Sequence, residues 1–179
     1  MLLEKGADVN AQGGWYDNAL HAASSGGHKE VAQMLLEKGA DVNAQGGGYD
    51  NALQAASSKG YKEVAQMLLE KGADVNAQGG NYGNALQAAC SGGHKEIAQM
   101  LLEKGADVNA QVAWYGNALQ AASSKGYKEI AQMLLEKGAD VNAQGGAFGS
   151  ALQAASLGGH KEVAQTLYNP SIQPFVVQI

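Results

Sequence analysis

The stretch GADVN at residues 39–43 occurs four more times in the chain, beginning at Gly6, Gly72, Gly105 and Gly138. Successive copies are always 33 residues apart. A fixed period of about 20 to 50 residues is typical of proteins built by stacking copies of one small unit. The repeat therefore predicts a stacked-repeat architecture, and each motif has to be interpreted once per unit.

The segment that precedes each GADVN predicts a second helix of the unit, and residues 29–38 show the pattern. Apolar residues recur there at helical spacing: Val31, Ala32, Met34, Leu35 and Leu36. Gly39 follows, at a point where a left-handed conformation is easily adopted only by a residue without Cβ. The sequence therefore ends the helix there and continues into a turn.

A shorter first helix is predicted before it. Asn18 can accept hydrogen bonds from the unpaired amides at a helix start, and it precedes the alanine-rich segment 19–24. Gly26-Gly27 then interrupts the helix. One such pair cannot bury its apolar stripe alone, so neighbouring pairs must stack. We expect five helix pairs, near residues 19–38, 52–71, 85–104, 118–137 and 151–168.

The array is expected to occupy residues 1–168, as a partial first unit and five helix pairs, followed by an unrelated tail at 169–179. The chain begins inside a second helix, so we expect an excerpt from a longer array or a chain that self-associates. The tail ends in the apolar segment 175–179. Two alternatives stay open for it: packing against the last unit or a partner, or disorder.

Composition excludes several classes of function. The chain has 12 basic and 17 acidic residues, a formal charge of −5, and its Lys and Glu alternate, which argues against a nucleic-acid partner. The sequence shows neither a long apolar run nor a leader, so we expect neither a membrane span nor secretion. The single cysteine, Cys90, is typical of a reducing compartment. We therefore expect a soluble intracellular protein, located in the cytoplasm.

The order of motifs within each unit resembles the ankyrin repeat. Asn-Ala-Leu-His or Gln comes first, then Ala-Ala, Gly-His-Lys-Glu-Val and Leu-Leu-Glu-Lys-Gly-Ala-Asp-Val-Asn-Ala. The resemblance implies an all-α solenoid of helix-turn-helix units with projecting loops. It also implies a protein-binding module without enzymatic activity or cofactor. The Gly-Gly-x-Tyr-Gly-Asn-Ala-Leu variant is further similar to ankyrin tracts of fungal multidomain, receptor-like proteins.

Two departures from a uniform repeat matter. Gln replaces the family's histidine at positions 54, 87, 120 and 153, and its amide could tie neighbouring units in the same way. Units also alternate, with Gly-Gly-His at 26–28, 92–94 and 158–160 and Lys-Gly-Tyr at 59–61 and 125–127. The alternation indicates a duplication unit of 66 residues.

Candidate metal and phosphate sites fail on spacing. The glycine pairs lack the strand and the Lys-Ser/Thr of a phosphate loop. His28, His94 and His160 would lie roughly 20 Å apart, against metal–nitrogen bonds of about 2 Å. We expect them to hydrogen-bond the turn of their own unit instead. The repeated Asp8, Asp41, Asp74, Asp107 and Asp140 are interpreted as turn-stabilising residues.

Candidate catalytic groups are equally weak. Asp17 and Asp50 would lie about 10 Å apart on exposed loops, so no raised pKa is expected. Cys90 aligns with serines at the end of the first helix and is interpreted as a small packing residue. These positions predict that the protein is not an enzyme.

The candidate binding residues are those that vary within the constant frame. The resemblance implies that the loops and the ends of the first helices line a concave recognition surface. We select as partner-binding residues Trp15, Tyr16, Asp17, His21, Tyr49, Asp50, Lys59, Asn81, Tyr82, Trp114, Tyr115, Lys125, Phe148 and Leu157. The aromatic residues in the second loop position are expected to pack loop on loop, whereas Trp15 and Trp114 are expected to contact the partner.

The predicted function is binding of a protein partner, with no nucleic acid, membrane, metal or cofactor involved. The alternative is a self-assembling or structural array, a homo-oligomer formed through the uncapped first unit or the tail at 169–179. A groove for a small molecule or for catalysis is the third interpretation.

Overall fold

A computed structural model describes residues 6–48, 50–112, 114 and 116–168. Ten α-helices lie in these ranges, arranged in five pairs. They are α1 Ala19–Ser25, α2 Lys29–Glu37, α3 Ala52–Lys59, α4 Lys62–Glu70, α5 Ala85–Gly92, α6 Lys95–Glu103, α7 Ala118–Lys125, α8 Lys128–Glu136, α9 Ala151–Leu157 and α10 Lys161–Leu167. The prediction of five helix pairs is confirmed.

Each pair belongs to a unit that begins with a projecting loop. We number the units 1 (13–45), 2 (46–78), 3 (79–111), 4 (112–144) and 5 (145–168). Neighbouring units pack along the array, first helix on first helix and second helix on second helix. The described part of the chain contains isolated β-bridges in the loops but no strand, so the all-α solenoid is confirmed.

The first helices begin as the sequence predicts. The side-chain oxygens of Asn18, Asn51, Asn84 and Asn117 accept from the backbone amide three residues later, at 2.8 to 2.9 Å. Ser150 caps α9 in the same way at 3.2 Å. These contacts pair amides that a helix start otherwise leaves to water.

The core runs along the array rather than forming one centre. Leucines of the first helices and Val or Ile of the second helices pack with buried alanines that let adjacent helices approach closely. Val64, Ile97 and Ile130 are buried, whereas the equivalent Val31 is 45% exposed. Val31 faces the side of unit 1 with no described unit beside it, so it is not covered as its equivalents are.

Asparagines after the second helices join successive units. Asn43 donates through Nδ2 to the Gly72 carbonyl at 3.2 Å and accepts the amide of Asp74 at 2.8 Å. Asn10, Asn76 and Asn109 repeat this pattern. Asp41 accepts the amide of Asn43 at 2.9 Å, which confirms that the repeated aspartates stabilise the turns.

The glutamines in the first helices also tie units together. Gln87 donates to the Gly116 carbonyl of the next unit at 2.9 Å. Gln120 donates to the Gly149 carbonyl of the next unit at 3.0 Å and to the Ala143 carbonyl of its own unit at 3.2 Å. The predicted substitution of a glutamine amide for the family's histidine is confirmed at these positions.

The histidines between the helices differ from expectation. His94 Nε2 hydrogen-bonds the Ser58 carbonyl at 3.2 Å, and His160 Nε2 bonds the Ser124 carbonyl at 3.1 Å. Both acceptors lie in the preceding unit, so the predicted bond within the same unit is wrong. The ring extends across the junction because the facing position, Gly60 or Gly126, has no side chain to exclude it.

No helix in the described ranges is both long enough and apolar enough to cross a membrane. The predictions for the partial first unit at Met1–Lys5 and for the tail at 169–179 lie outside the described residues.

Candidate functional site

The loops hold the candidate residues on short hairpins. In unit 2 the amide of Gly46 donates to the Asp50 carbonyl at 2.7 Å, and equivalent bridges close the loops of units 3, 4 and 5. Gly47 has a φ of +69°, in the left-handed region that a tight reversal requires. The hairpin places the third residue of the unit at its tip. We call the hairpin tips and the C-terminal ends of the first helices the loop surface.

The two tryptophans lie at hairpin tips and are largely exposed. Trp15 is 78% exposed and Trp114 is 69% exposed. The Trp114 carbonyl accepts the amide of Ala147 in the next unit at 2.8 Å, which fixes the backbone of this tip. Large aromatic side chains on a fixed backbone offer contact area at a small cost in conformational entropy.

The aromatics in the second loop position are more enclosed. Tyr16 meets His21 edge to face, with ring centroids 6.5 Å apart, and Tyr82 and Phe148 are half-buried. Tyr16 keeps 45% of its surface exposed, and the packing of these rings from loop to loop stays a prediction. Tyr49 and Tyr115, also selected from the sequence, lie outside the described residues.

His21 is buried, so its selection as a partner contact is wrong. Its side chain is 1% exposed because the hairpins of units 1 and 2 cover it. Burial lowers the pKa of His21, although Asp17, Asp50 and hydrogen bonds with the Tyr16 and Gly46 backbone act in the opposite direction. The imidazole supports the junction below the loop surface.

Asp17 and Asp50 adopt left-handed backbones, with φ of +66° and +74°, where the later units have glycine. Each carboxyl packs against a glycine of the next hairpin, Gly46 or Gly79. Both residues are half-buried, and burial raises the pKa of Asp50 while His21 opposes the shift. The expectation of no raised pKa is therefore wrong for Asp50, because the loop is less exposed than the sequence indicates.

The remaining candidates lie on the exposed part of the loop surface. Asn81 occupies the hairpin tip of unit 3, and its backbone N–H donates to the Gly48 carbonyl at 3.2 Å. Lys59 and Lys125 end α3 and α7 and are exposed, and Leu157 ends α9 with 79% of its surface exposed. Both tip residues and helix ends are thus available for contact.

One pairing across the hairpins escaped sequence analysis. Where a unit has Asp at the end of its loop, the next unit has glycine opposite it, as in the pairs Asp17–Gly46 and Asp50–Gly79. Unit 3 has Gly83 instead, and the side chain of Val112 occupies the space that a Cβ at Gly83 would need. The change from an Asp–Gly pair to a Gly–Val pair is visible in the sequence. Without the fold, however, nothing indicates that these positions, 29 residues apart, are in contact.

The described residues offer little for catalysis. Cys90 is fully buried, and burial raises the pKa of its thiol, which disfavours the reactive thiolate. No group of three or more His, Cys, Asp or Glu side chains within the described ranges could hold a metal ion. A groove of about 300 Å³ between α2 and α4 is lined by Lys29, Gln33, Glu63, Gln66, Met67, Glu70 and Lys71, away from the loop surface.

Comparison with known families gives one match. The family described as "Ankyrin repeats (3 copies)" matches residues 1–79 and 78–145. A search of curated proteins found no match.

Proposed function

The chain belongs to the ankyrin repeat family, and from this premise we propose that it binds a protein partner through the loop surface. Ankyrin repeats are generally protein–protein interaction modules. The observation that carries the proposal is the exposure of Trp15 and Trp114, at 78% and 69%, on hairpins held by backbone hydrogen bonds. Aromatic anchors of this kind dominate the binding energy of many protein interfaces.

The rest of the loop surface complements the two tryptophans. Lys59 and Lys125 add positive charge at the ends of first helices, and Asn81 adds an amide at a tip between the two tryptophan units. Leu157 adds an exposed apolar side chain on unit 5. The proposed partner is therefore a protein that presents apolar pockets for the indoles together with acidic or hydrogen-bonding groups.

Affinity capture followed by titration tests the proposal. The wild-type chain is used to isolate a partner, and the dissociation constant is then measured for the double variant Trp15→Ala/Trp114→Ala. We expect a loss of affinity of tenfold or more, since truncation of a hot-spot residue costs roughly 2 kcal/mol. The matched control is Gln33→Ala/Gln132→Ala, which changes exposed second-helix residues on the same units.

The proposal fails if the tryptophan variant binds as tightly as the wild type. It also fails if the glutamine control loses affinity to the same extent, because the contact would then lie on the second helices. Circular dichroism of both variants establishes that the fold is kept.

Self-association is the second candidate, and the exposure at the two ends of the array favours it. Val31 in unit 1 is 45% exposed, and Tyr168 after α10 is 70% exposed. Stacking of one array on another would cover such surfaces. Light scattering at high protein concentration tests this candidate: a mass that stays at that of one chain contradicts it. The cytoplasmic location and the likeness to fungal receptor-like proteins remain predictions.

A further inference from the structure

The alternation of Gly-Gly-His and Lys-Gly-Tyr turns coincides with two kinds of junction between units. A unit that brings Gly-Gly-His to the junction has a glycine at the end of its first helix, Gly92 in unit 3 and Gly158 in unit 5. A unit that brings Lys-Gly-Tyr has Lys59 or Lys125 at that place. The two kinds of residue set different limits on how closely the preceding unit can approach.

At the junctions between units 2 and 3 and between units 4 and 5, the approach is close. A Cβ built on Gly92 would lie 2.8 Å from the Ser58 carbonyl oxygen, and one on Gly158 would lie 3.1 Å from that of Ser124. The same carbonyls accept the hydrogen bonds from His94 and His160. The missing side chain and the histidine bond therefore act at the same point of each junction.

The hairpins on the loop surface follow the same alternation. The amide of Asn81 bonds the Gly48 carbonyl at 3.2 Å, which joins units 2 and 3. The amide of Ala147 bonds the Trp114 carbonyl at 2.8 Å, which joins units 4 and 5. Two separate parts of each unit are thus bonded across these junctions.

The other two junctions lack both features in the parts that the structure describes. Tyr61 and Tyr127 place their rings against Gly27 and Gly93 of the preceding unit, by contact rather than by a hydrogen bond. No backbone hydrogen bond links the described tip residues Trp15 and Gly48, or Asn81 and Trp114. The asparagine contacts are present at both of these junctions, His21 bonds the Gly46 backbone, and Gln87 bonds the Gly116 carbonyl.

We propose that the array consists of three rigid blocks, unit 1, units 2 and 3, and units 4 and 5, and that it bends at the two junctions between them. In the described residues such a boundary lacks both the histidine bond and the backbone bond between hairpin tips, so local opening there costs less free energy than inside a block. Trp15 and Trp114 lie on different blocks. If the proposed function holds, bending at the boundaries adjusts the separation of the two tryptophans to the partner.

Spin-label distances between neighbouring units test the proposal without any partner. The exposed residues Gln33, Gln66, Gln99, Gln132 and Gln165 occupy the same position in each second helix and provide four matched pairs. Each is replaced by Cys in the Cys90→Ser background, since serine stands at the equivalent positions 57 and 123. Neighbouring labels lie about 10 Å apart, one helix diameter. Dipolar coupling in frozen solution then reports the distribution of each distance.

We expect narrow distributions for 66/99 and 132/165 and broad ones for 33/66 and 99/132. Exchange of the turn residues must move these widths in opposite directions. Gly92→Lys with His94→Tyr should abolish the narrow 66/99 distribution, and Lys125→Gly with Tyr127→His should narrow the 99/132 distribution. The second exchange adds bonds, so it provides a test even where the first variant fails to fold.

Equal widths at all four junctions in the wild type would overturn the proposal. So would exchanges that leave the widths unchanged. The label distances are measured without a partner, so they do not depend on whether Trp15→Ala/Trp114→Ala loses binding. Failure of the block arrangement and failure of the proposed function are therefore distinguishable.

Discussion

At the scale of the residue, Asp50 combines two unfavourable features in one side chain. Its φ of +74° lies in the left-handed region, and its carboxyl is half-buried against Gly79. Units 3, 4 and 5 have glycine at the same place, namely Gly83, Gly116 and Gly149. Asp17 and Asp50 therefore place a half-buried carboxyl on a left-handed backbone in the first two units, whereas glycine makes that backbone favourable in the later units.

This arrangement predicts that Asp50→Gly increases the free energy of unfolding at pH 7. Removing the side chain relieves the left-handed backbone, a gain of about 1 kcal/mol. It also removes the charge that burial disfavours. Urea denaturation of the variant and the wild type at the same pH measures the difference.

The pH dependence separates the two contributions. Burial raises the pKa of Asp50 in the folded chain, so the folded state binds the proton more tightly than the unfolded state. Its contribution to stability is present below the unfolded pKa and is lost as the pH rises through the folded pKa. Asp50→Asn should therefore be more stable than the wild type at pH 7. It should lose this advantage as the pH falls from the folded pKa of Asp50 to its unfolded pKa. An advantage of Asp50→Asn that is independent of pH contradicts the assignment.

At the scale of the element, glutamines fasten two of the described first helices, α5 and α7, to the hairpin of the next unit. Gln87 is 1% exposed and donates to the Gly116 carbonyl at 2.9 Å. Gln153 occupies the same helix position in unit 5 but is exposed. The two residues form a matched pair for measuring what the connection contributes.

Gln87→Ala is expected to lower the free energy of unfolding by about 0.5–1.5 kcal/mol, because the buried Gly116 carbonyl loses one of its two donors and keeps only the Val112 amide. Gln153→Ala should stay within about 0.5 kcal/mol of the wild type. Urea denaturation measures both. Equal losses in the two variants would show that the effect belongs to helix α5 or α9 itself and not to the connection between units.

The helices and their caps could be predicted from the sequence, because the signals are local. Asn18 and its equivalents, the apolar stripe and Gly39 act within one unit and recur five times. Contacts across junctions could be predicted less well. The burial of His21, the carbonyl that His94 reaches and the pair Gly83–Val112 depend on how neighbouring units are superposed, which the period alone does not fix.

At the scale of the whole molecule, burial depends on position along the array. Leu20, Leu53, Leu86 and Leu119 occupy one position in the first helices and are 1 to 2% exposed, whereas Leu152 in unit 5 is half-buried. Each unit is covered mainly by its neighbours, so identical residues contribute different amounts in the middle of the array and at its end.

We therefore expect Leu86→Ala to cost about 2–5 kcal/mol, the usual range for a buried leucine. The same substitution at Leu152 should cost clearly less, because part of that side chain already contacts water. Denaturant unfolding of the two variants provides the comparison. A loss at Leu152 as large as that at Leu86 would contradict the gradient of burial.

The pairing of side chain and glycine across the hairpins also restricts how the gene can gain or lose repeats. Deleting unit 2 would place Asp17 opposite Gly79, and deleting unit 4 would place Gly83 opposite Gly145, both of which are compatible combinations. Deleting unit 3 would instead bring the Asp50 carboxyl against the Val112 side chain. Loss of one internal unit therefore yields products of unequal stability, and among units 2, 3 and 4 it is unit 3 whose loss requires a compensating substitution.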